Sequence, residues 1–270
     1  MLGLIRKELI IFLSSVRYNT RIVVPGWVEH SEEYLASSSR YFPFVGWIVA
    51  FLSSLVLWFA NLSLPWEVSV VLSMAASVLI TGAFHEDGFT DVCDGFGGGW
   101  TKTKILDIMK DSRIGAFGTI GIILVLLLKF TCYRSMSGLS IEILFITIFA
   151  SHSSSRFWAL LMTKAIPYAR EDELSKAKPI VKNMKTSNVL IGAVWGFLPW
   201  FGFFYLSSLP SKLVLGFILF PFLLQSFGFL YLRNFYKRWL EGYTGDCLGA
   251  VQQVTEILYL IGILSAWKSF

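Results

Sequence analysis

Charged residues are scarce in this 270-residue chain, and the scarcity excludes an ordinary soluble domain. Asp, Glu, Lys and Arg make up only 15% of the sequence, whereas a typical soluble domain contains about 25%. Hydrophobic residues account for 55%, and the mean hydropathy is +0.63. This composition is typical of an integral membrane protein.

Cysteine is scarce as well, with only Cys93, Cys132 and Cys247. Their odd number disfavours a disulfide framework. The chain has no low-complexity tract and no convincing internal repeat, and no small-residue cleavage site of the kind that ends a signal peptide follows the segment 2–16. We therefore expect residues 1–270 to form a single membrane-embedded domain.

Seven apolar runs each have about the 20 residues that cross a hydrocarbon core of about 30 Å. These runs are residues 43–62, 66–84, 115–136, 140–162, 188–208, 212–232 and 248–267. The sequence predicts an all-α, polytopic membrane helix bundle with about seven transmembrane helices, or six if the first two runs, joined by only NLSLPW, do not both cross. The segment 2–16 is too short and too basic to cross, so we expect it to form an interfacial helix.

Positive charge is distributed unevenly between the segments that flank these runs. Eighteen Lys and Arg residues fall on one side of the predicted topology, and only Arg134, Lys212 and Lys268 fall on the other. Basic flanking segments stay in the cytoplasm, which predicts a prokaryotic cytoplasmic (inner) membrane protein with a cytoplasmic N-terminus. The cytoplasmic segments would be the arm 1–42 and the loops 85–114, 163–187 and 233–247.

Four carboxylates lie in HEDGFTDVCDGFGGGW, directly after the second apolar run. Asp87, Asp91 and Asp94 share one helical face if the helix continues past Phe84. Like charges on one face repel unless a cation lies among them, and a set of oxygen ligands suits Mg²⁺. We predict a magnesium site whose following glycines face a phosphate. The alternative is a solvated helix end followed by a flexible linker.

Three other polar segments are predicted on the same side of the membrane. In MKDSRIGAFG, Lys110 and Arg113 are suited to phosphate oxygens, and Asp111 to a ligand or proton-acceptor role. The alternative is a pair of cations that extend to lipid headgroups beside a capping acid. Arg156 lies inside an apolar run, where arginine is a candidate functional residue. Asp246, in EGYTGD, is either a helix cap or part of an anion or metal site.

These motifs, in this order, resemble those of the cobalamin synthases, the adenosylcobinamide-GDP ribazoletransferases. The similarity extends from NTRIVVP at 19–25, through HEDGFTDVCDG and MKDSRIGAFG, to GYTGDCLGA and the last helix. It implies a Mg²⁺-dependent, multi-pass membrane transferase of the last steps of cobalamin biosynthesis. In that family the ribose 3′-hydroxyl of α-ribazole, or of its 5′-phosphate, attacks the cobinamide-bound phosphorus of adenosylcobinamide-GDP and expels GMP.

Together, the polar positions and the resemblance assign roles to residues of this chain. The predicted catalytic residues are Asp91, Asp94, Asp111 and Arg113. The predicted substrate- or phosphate-binding residues are His85, Lys110, Ser112, Arg156, Thr244 and Gly245. The predicted metal ligands are Asp87, Asp91, Asp94, Glu86 and Asp246.

Two positions depart from the family pattern. Glu86 stands where the family usually has an apolar residue, and Glu241 replaces a glycine before GYTGD, so their roles stay open. The expected partners are the lipid bilayer, the corrinoid nucleotide and α-ribazole, with no nucleic acid and with homo-oligomerisation left open.

Two other functions compete with this hypothesis. A CDP-alcohol phosphatidyltransferase would share DVCDG, but glycines stand here where that family continues with Ala-Arg. A cation transporter with an acidic cytoplasmic vestibule would place acids across several helices at the membrane centre or in broken helices of matched halves. In this chain the acids cluster in the predicted cytoplasmic loops.

Overall fold

The computed structural model describes residues 2–28, 31–170, 184–205 and 209–269. Part of the predicted loop 163–187, residues 171–183, lies outside these ranges. Within them the chain is helical, and strand geometry is limited to an isolated bridge between Tyr168 and Tyr243.

The α-helices follow one another along the described parts of the chain. They are α1 (Leu2–Asn19), α2 (Glu32–Ser38), α3 (Phe42–Asn61), α4 (Trp66–Thr81), α5 (Phe84–Gly98), α6 (Lys102–Ile108), α7 (Ala116–Arg134), α8 (Ile141–Ala165), α9 (Thr186–Phe197), α10 (Gly202–Tyr205), α11 (Ser211–Leu240) and α12 (Gly245–Ser269). The predicted loop 85–114 is therefore mostly helical, as α5 and α6.

The prediction of an all-α polytopic membrane bundle is confirmed, with five or six candidate spans by length and apolar composition where six or seven were expected. Among the described residues, five helical segments are long and apolar enough to cross a membrane. They are Glu32–Asn61, Ala116–Arg134, Thr186–Tyr205, Ser211–Leu240 and Gly245–Ser269. Helices α4 and α5 reach this criterion only as a pair, which is bent by 88°, so the count rises to six at most.

The expected span at 140–162 is a helix that falls outside this set. Helix α8 has 25 residues, but its centre carries the polar sequence SHSSSR. These polar side chains are buried against other helices, so the polar centre of α8 lies inside the bundle, and it is this centre that keeps the helix below a threshold based on apolar composition.

Helix α12 lies at the centre of the bundle, and α7 lies at its edge. In α12, 72% of the apolar window is buried, the largest share of the five segments, whereas in α7 the share is 22%. Outward-facing Ile120, Ile123 and Leu127 of α7 are more than half exposed. Such a stripe is suited to lipid, since acyl chains are as apolar as these side chains.

We expected the helix that carries the acidic motif to continue from α4. Instead, it begins as a separate helix after a sharp turn. Gly82 and Ala83 both adopt left-handed backbone angles, with φ of 68° and 57°, which stop α4 and turn the chain. A side chain at Gly82 would also collide with the guanidinium group of Arg21. Because α5 turns away by 88°, it lies outside the five spanning segments.

A buried ion pair joins α7 to α12 inside the bundle. Nζ of Lys129 lies 2.9 Å from Oε1 of Glu256, and the two side chains are only 6% and 2% exposed. Lys129 also donates to Oε1 of Gln253 at 3.0 Å, and Gln252 donates to the other carboxylate oxygen of Glu256. Each charge is compensated in a region where an unpaired ion would be costly.

Removing one member of this pair should destabilise the protein strongly. We expect Lys129→Met to lower the free energy of unfolding by about 3–5 kcal/mol, because it leaves the Glu256 carboxylate buried without its cation. The double variant K129M/E256Q should be more stable than K129M. Unfolding in detergent measures both, with the exposed Lys212→Met as control. Equal stability of K129M and the control would contradict the role of the pair.

Candidate active site

The acidic motif and the GYTGD motif meet where α5 crosses the beginning of α12. A Cβ atom at Gly88 would lie 2.9 Å from the backbone oxygen of Asp246, and one at Gly249 would lie 2.9 Å from that of His85. Any larger residue would force the two helices apart, so the two glycines permit the crossing. The crossing brings the acids of α5 close to Asp246.

The electrostatics of Asp91 show that these acids share one environment. Burial raises the pKa of Asp91 to about 7, with further contributions from the charges of Asp246 and Asp87, whereas Arg170 opposes the shift. Crowded carboxylates behave in this way when no cation lies among them. Asp87 and Asp246 thus lie close enough to Asp91 for their charges to act on it.

The cluster is not a ready-made metal cage. Across the described ranges, no group of three or more His, Cys, Asp or Glu side chains is arranged to hold an ion. A small set of carboxylates suits an ion that keeps several waters and takes its other ligands from a substrate phosphate, which is how Mg²⁺ usually binds. The donor chemistry therefore fits Mg²⁺ when substrate completes the site.

Asp94 has a separate task in the fold. Its two carboxylate oxygens accept hydrogen bonds from the backbone N–H groups of Gly115 at 2.7 Å and Gly118 at 2.8 Å. Side chains at either glycine would collide with this carboxylate. Asp94 therefore caps the first turn of α7 and ties MKDSRIGAFG to the acidic motif. Whether it also binds metal stays a prediction.

The glycines that follow Asp94 serve packing instead of forming a phosphate loop. Helix α5 extends to Gly98, and the N–H of Gly99 donates to the carbonyl of Gly95. A Cβ at Gly95 would lie 2.8 Å from the Met109 side chain, and one at Gly99 would lie 2.7 Å from that of Ile105. The expected phosphate cradle is therefore corrected to a close contact between α5 and α6.

The KDSR cluster lies in the exposed turn after α6. Arg113 donates to both carboxylate oxygens of Asp111, with the shortest distance 2.6 Å. These bonds lower the pKa of Asp111 to about 2, so this carboxylate binds a proton poorly at neutral pH and is a weak general base in this arrangement. Lys110 and Ser112 are also exposed in this turn, and their predicted roles stay predictions.

The third motif is organised by a cap and an ion pair. Buried Thr244 accepts the N–H of Cys247 at 3.3 Å, as an N-cap of α12 does, and Gly245 follows it. The Asp246 carboxylate accepts from Nη2 of Arg170 at 2.8 Å. Arg170 is held there by the bridge between the Tyr168 and Tyr243 segments.

Three predicted residues face the interior of the bundle. Oε1 of Glu86 accepts from Gln253 at 2.8 Å, so Glu86 turns away from the acids of the cluster. Arg156 is 1% exposed and donates to the carbonyl of His152 at 2.9 Å. His85 is 3% exposed, lies among aromatic rings, and its Nε2 has no hydrogen-bond partner among the described residues.

The backbone angle at Glu241 explains why glycine suits this position. It ends α11 in the left-handed conformation, with φ of 58°, where glycine avoids the Cβ strain. Its carboxylate pairs with Lys102 at 2.7 Å on the exposed surface. The substitution therefore retains the turn.

A cavity of about 740 Å³ adjoins the cluster and contains residues that sequence reasoning missed. Arg17, Arg21 and Asp87 line it together with the ends of α1 and α4. Arg21 lies in NTRIVVP, and its backbone N–H donates to the carbonyl of Ile80 at 2.7 Å. Arg170 was also missed, because a charge run in a loop carries no sign of a buried partner.

The capping role of Asp94 leads to a stability prediction. We expect Asp94→Ala to lower the free energy of unfolding by about 2–3 kcal/mol, since two N–H groups lose a charged acceptor. Asp94→Asn should have a smaller effect, because its amide oxygen still accepts one bond. Thermal unfolding in detergent measures this, with the exposed Asp107→Ala as control. Wild-type stability of D94A together with lost activity would favour direct metal binding instead.

Comparisons with known proteins agree with the resemblance of the motifs. The family model described as cobalamin-5-phosphate synthase matches residues 11–264. A relative from Leptospira interrogans is 46% identical over 260 residues, with 96% of both chains covered. A relative from Ralstonia pickettii is 41% identical over 259 residues, with 95% of both chains covered.

A third relative, from Shewanella frigidimarina, is 39% identical over 263 residues, with 97% of both chains covered. All three relatives are named adenosylcobinamide-GDP ribazoletransferase. No solved structure gave a significant match. The family extends over nearly the whole chain, including every motif of the site. This integral membrane protein therefore belongs to the cobalamin-5-phosphate synthase family and is a transferase of cobalamin biosynthesis.

Proposed function

We propose that this chain joins adenosylcobinamide-GDP to α-ribazole, or to its 5′-phosphate, and releases GMP in a Mg²⁺-dependent reaction. The observation that carries the proposal is the crossing of α5 and α12, which gathers Asp87, Asp91 and Asp246 beside Arg170. Relatives that carry the name of this reaction favour it over the phosphatidyltransferase and transporter alternatives.

The reaction exchanges one phosphorus–oxygen bond for another. The ribose 3′-oxygen forms a bond to the cobinamide-bound phosphorus, the bond between that phosphorus and the bridging oxygen of GMP breaks, and the hydroxyl proton is released. Such transfers depend on charge neutralisation and on positioning of the nucleophile. Mg²⁺, held by Asp87, Asp91 and Asp246, would neutralise the diphosphate.

The residues of this chain supply the remaining requirements. Arg170 keeps Asp246 in place from the opposite side, and Asp94 holds the KDSR turn close to α5 through the start of α7. A turn that carries Lys110 and Arg113 can then approach a bound phosphate. The pairing of Arg113 with Asp111 would open when a phosphate competes for the guanidinium fork.

We further propose that the site faces the cytoplasm of a prokaryotic inner membrane. Support comes from the excess of Lys and Arg on the side of α5, α6 and the start of α12. The substrates would then reach the cluster from the compartment that supplies nucleotides.

The proposal predicts turnover that depends on Asp91 and on the metal. Purified protein with adenosylcobinamide-GDP, α-ribazole and Mg²⁺ should release GMP and form the joined corrinoid, and EDTA should stop both. Loss of an outer-shell metal contact already costs about 10–100-fold, so Asp91→Asn should lower kcat by about 100-fold or more. Chromatography of the products measures the rate.

The control is Asp107→Asn, which removes an exposed acid of α6 that lies outside the cluster and should retain wild-type turnover. Folded wild-type protein that forms no product with either form of ribazole would overturn the proposed reaction. Full activity of D91N would show that the cluster is not the metal site.

A further inference from the structure

The cavity of about 740 Å³ beside the acidic cluster has the size of a nucleotide site. Small-molecule sites usually measure about 300–1,000 Å³. This one is lined by the end of α1, the start of α2 and the turn between α4 and α5. Asp87 is among its lining residues, so an occupant would reach an acid of the cluster.

The charges in this cavity are of both signs and are placed on different elements. Arg17 and Arg21 come from α1 and the segment after it, whereas Glu32 comes from the start of α2. Arg17 donates from Nη2 to the carbonyl of Val28 at 2.9 Å, which fixes the segment between them. Arg21 is exposed to the cavity and lies against Gly82.

Each of these groups matches a different part of a guanine nucleotide. A guanidinium fork binds two phosphate oxygens at once. A carboxylate, which only accepts hydrogen bonds, matches the adjacent N1–H and N2–H₂ donors of guanine. Adenine presents an acceptor at N1 in place of that donor, so a carboxylate at this position would reject it.

We propose that this cavity binds the guanosine diphosphate end of the donor substrate, with Arg21 on the phosphates and Glu32 on the Watson–Crick edge of guanine. The inference rests on the proposed function and adds to it the residues that select the nucleotide. Because Asp87 is part of the same cavity wall, the phosphates bound by Arg21 would lie at the edge of the acidic cluster.

The turn between α4 and α5 connects nucleotide binding to the cluster. Arg21 packs against Gly82, which is held in the left-handed conformation that starts α5. The next residue, Ala83, is a non-glycine residue in the left-handed region, with φ of 57°, and strain at such a residue persists where the surrounding structure enforces it. The same arginine thus contacts the nucleotide and supports the corner from which Asp87 projects.

Direct binding of GMP, the proposed product, tests the site without turnover. In calorimetry with the full chain in detergent, Glu32→Gln should weaken GMP binding by about tenfold, the value of one or two exposed hydrogen bonds to a charged group, and should leave AMP binding unchanged. Arg21→Ala should weaken GMP and AMP binding alike, by about tenfold or more, and Arg21→Lys should do so less. Binding of guanosine, which has no phosphate, should be weakened by E32Q and unchanged by R21A.

The neighbouring helices α1 and α2 offer matched controls. Glu33→Gln removes the neighbouring acid, which pairs with Lys7 instead of lining the cavity, and Arg6→Ala removes an exposed arginine of α1. Both should bind GMP as the wild type does. A ratio of GMP to AMP affinity that E32Q leaves unchanged, or that E33Q changes equally, would overturn the inference.

Turnover of adenosylcobinamide-GDP by the same preparation separates this inference from the proposed function. If the wild type turns the substrate over but GMP binding is the same in E32Q, R21A and the wild type, only the proposed nucleotide site is overturned. Selective GMP binding that depends on both residues would support the site even if the proposed acceptor were wrong.

Discussion

The close crossing of α5 and α12 is the constraint on which the site depends. Two glycines, Gly88 and Gly249, allow backbone contact between helices that carry different motifs. Without this contact, Asp246 would stand apart from Asp87 and Asp91, and the two motifs could not share a cation. Small residues commonly permit such close helix contacts in membrane proteins, and here the contact also assembles chemistry.

The sequence predicted the helical bundle and the acids of the cluster, because apolar length and i, i+4 spacing are local properties. It could not predict the 88° corner before α5, since the left-handed angle of Ala83 is imposed by packing around it. The partners of Asp94 and Arg170 were equally hidden. A carboxylate with helical spacing looks the same in sequence whether it binds an ion or caps a distant helix.

The buried polar centre of α8 is a second feature that the sequence could not predict. Hydropathy treats each run by itself, so it gives no sign that the SHSSSR centre of 140–162 is matched to polar partners elsewhere. In the fold, Gln225 donates to Ser154 at 2.9 Å and accepts from Trp158 at 3.1 Å. Polar groups inside a bundle are stable when they are paired, and pairing is a tertiary property.

Pairing inside the bundle also explains how a carboxylate is accommodated at Glu86. Its carboxylate accepts from Gln253, which in turn accepts from Lys129 of the buried ion pair. Successive residues of an α-helix point about 100° apart, so a Glu86 that faces the bundle turns Asp87 toward the cluster. Rotating α5 would take this half-buried carboxylate away from its donor, which is costly. The acid that departs from the family pattern therefore orients the face of α5 that carries Asp87.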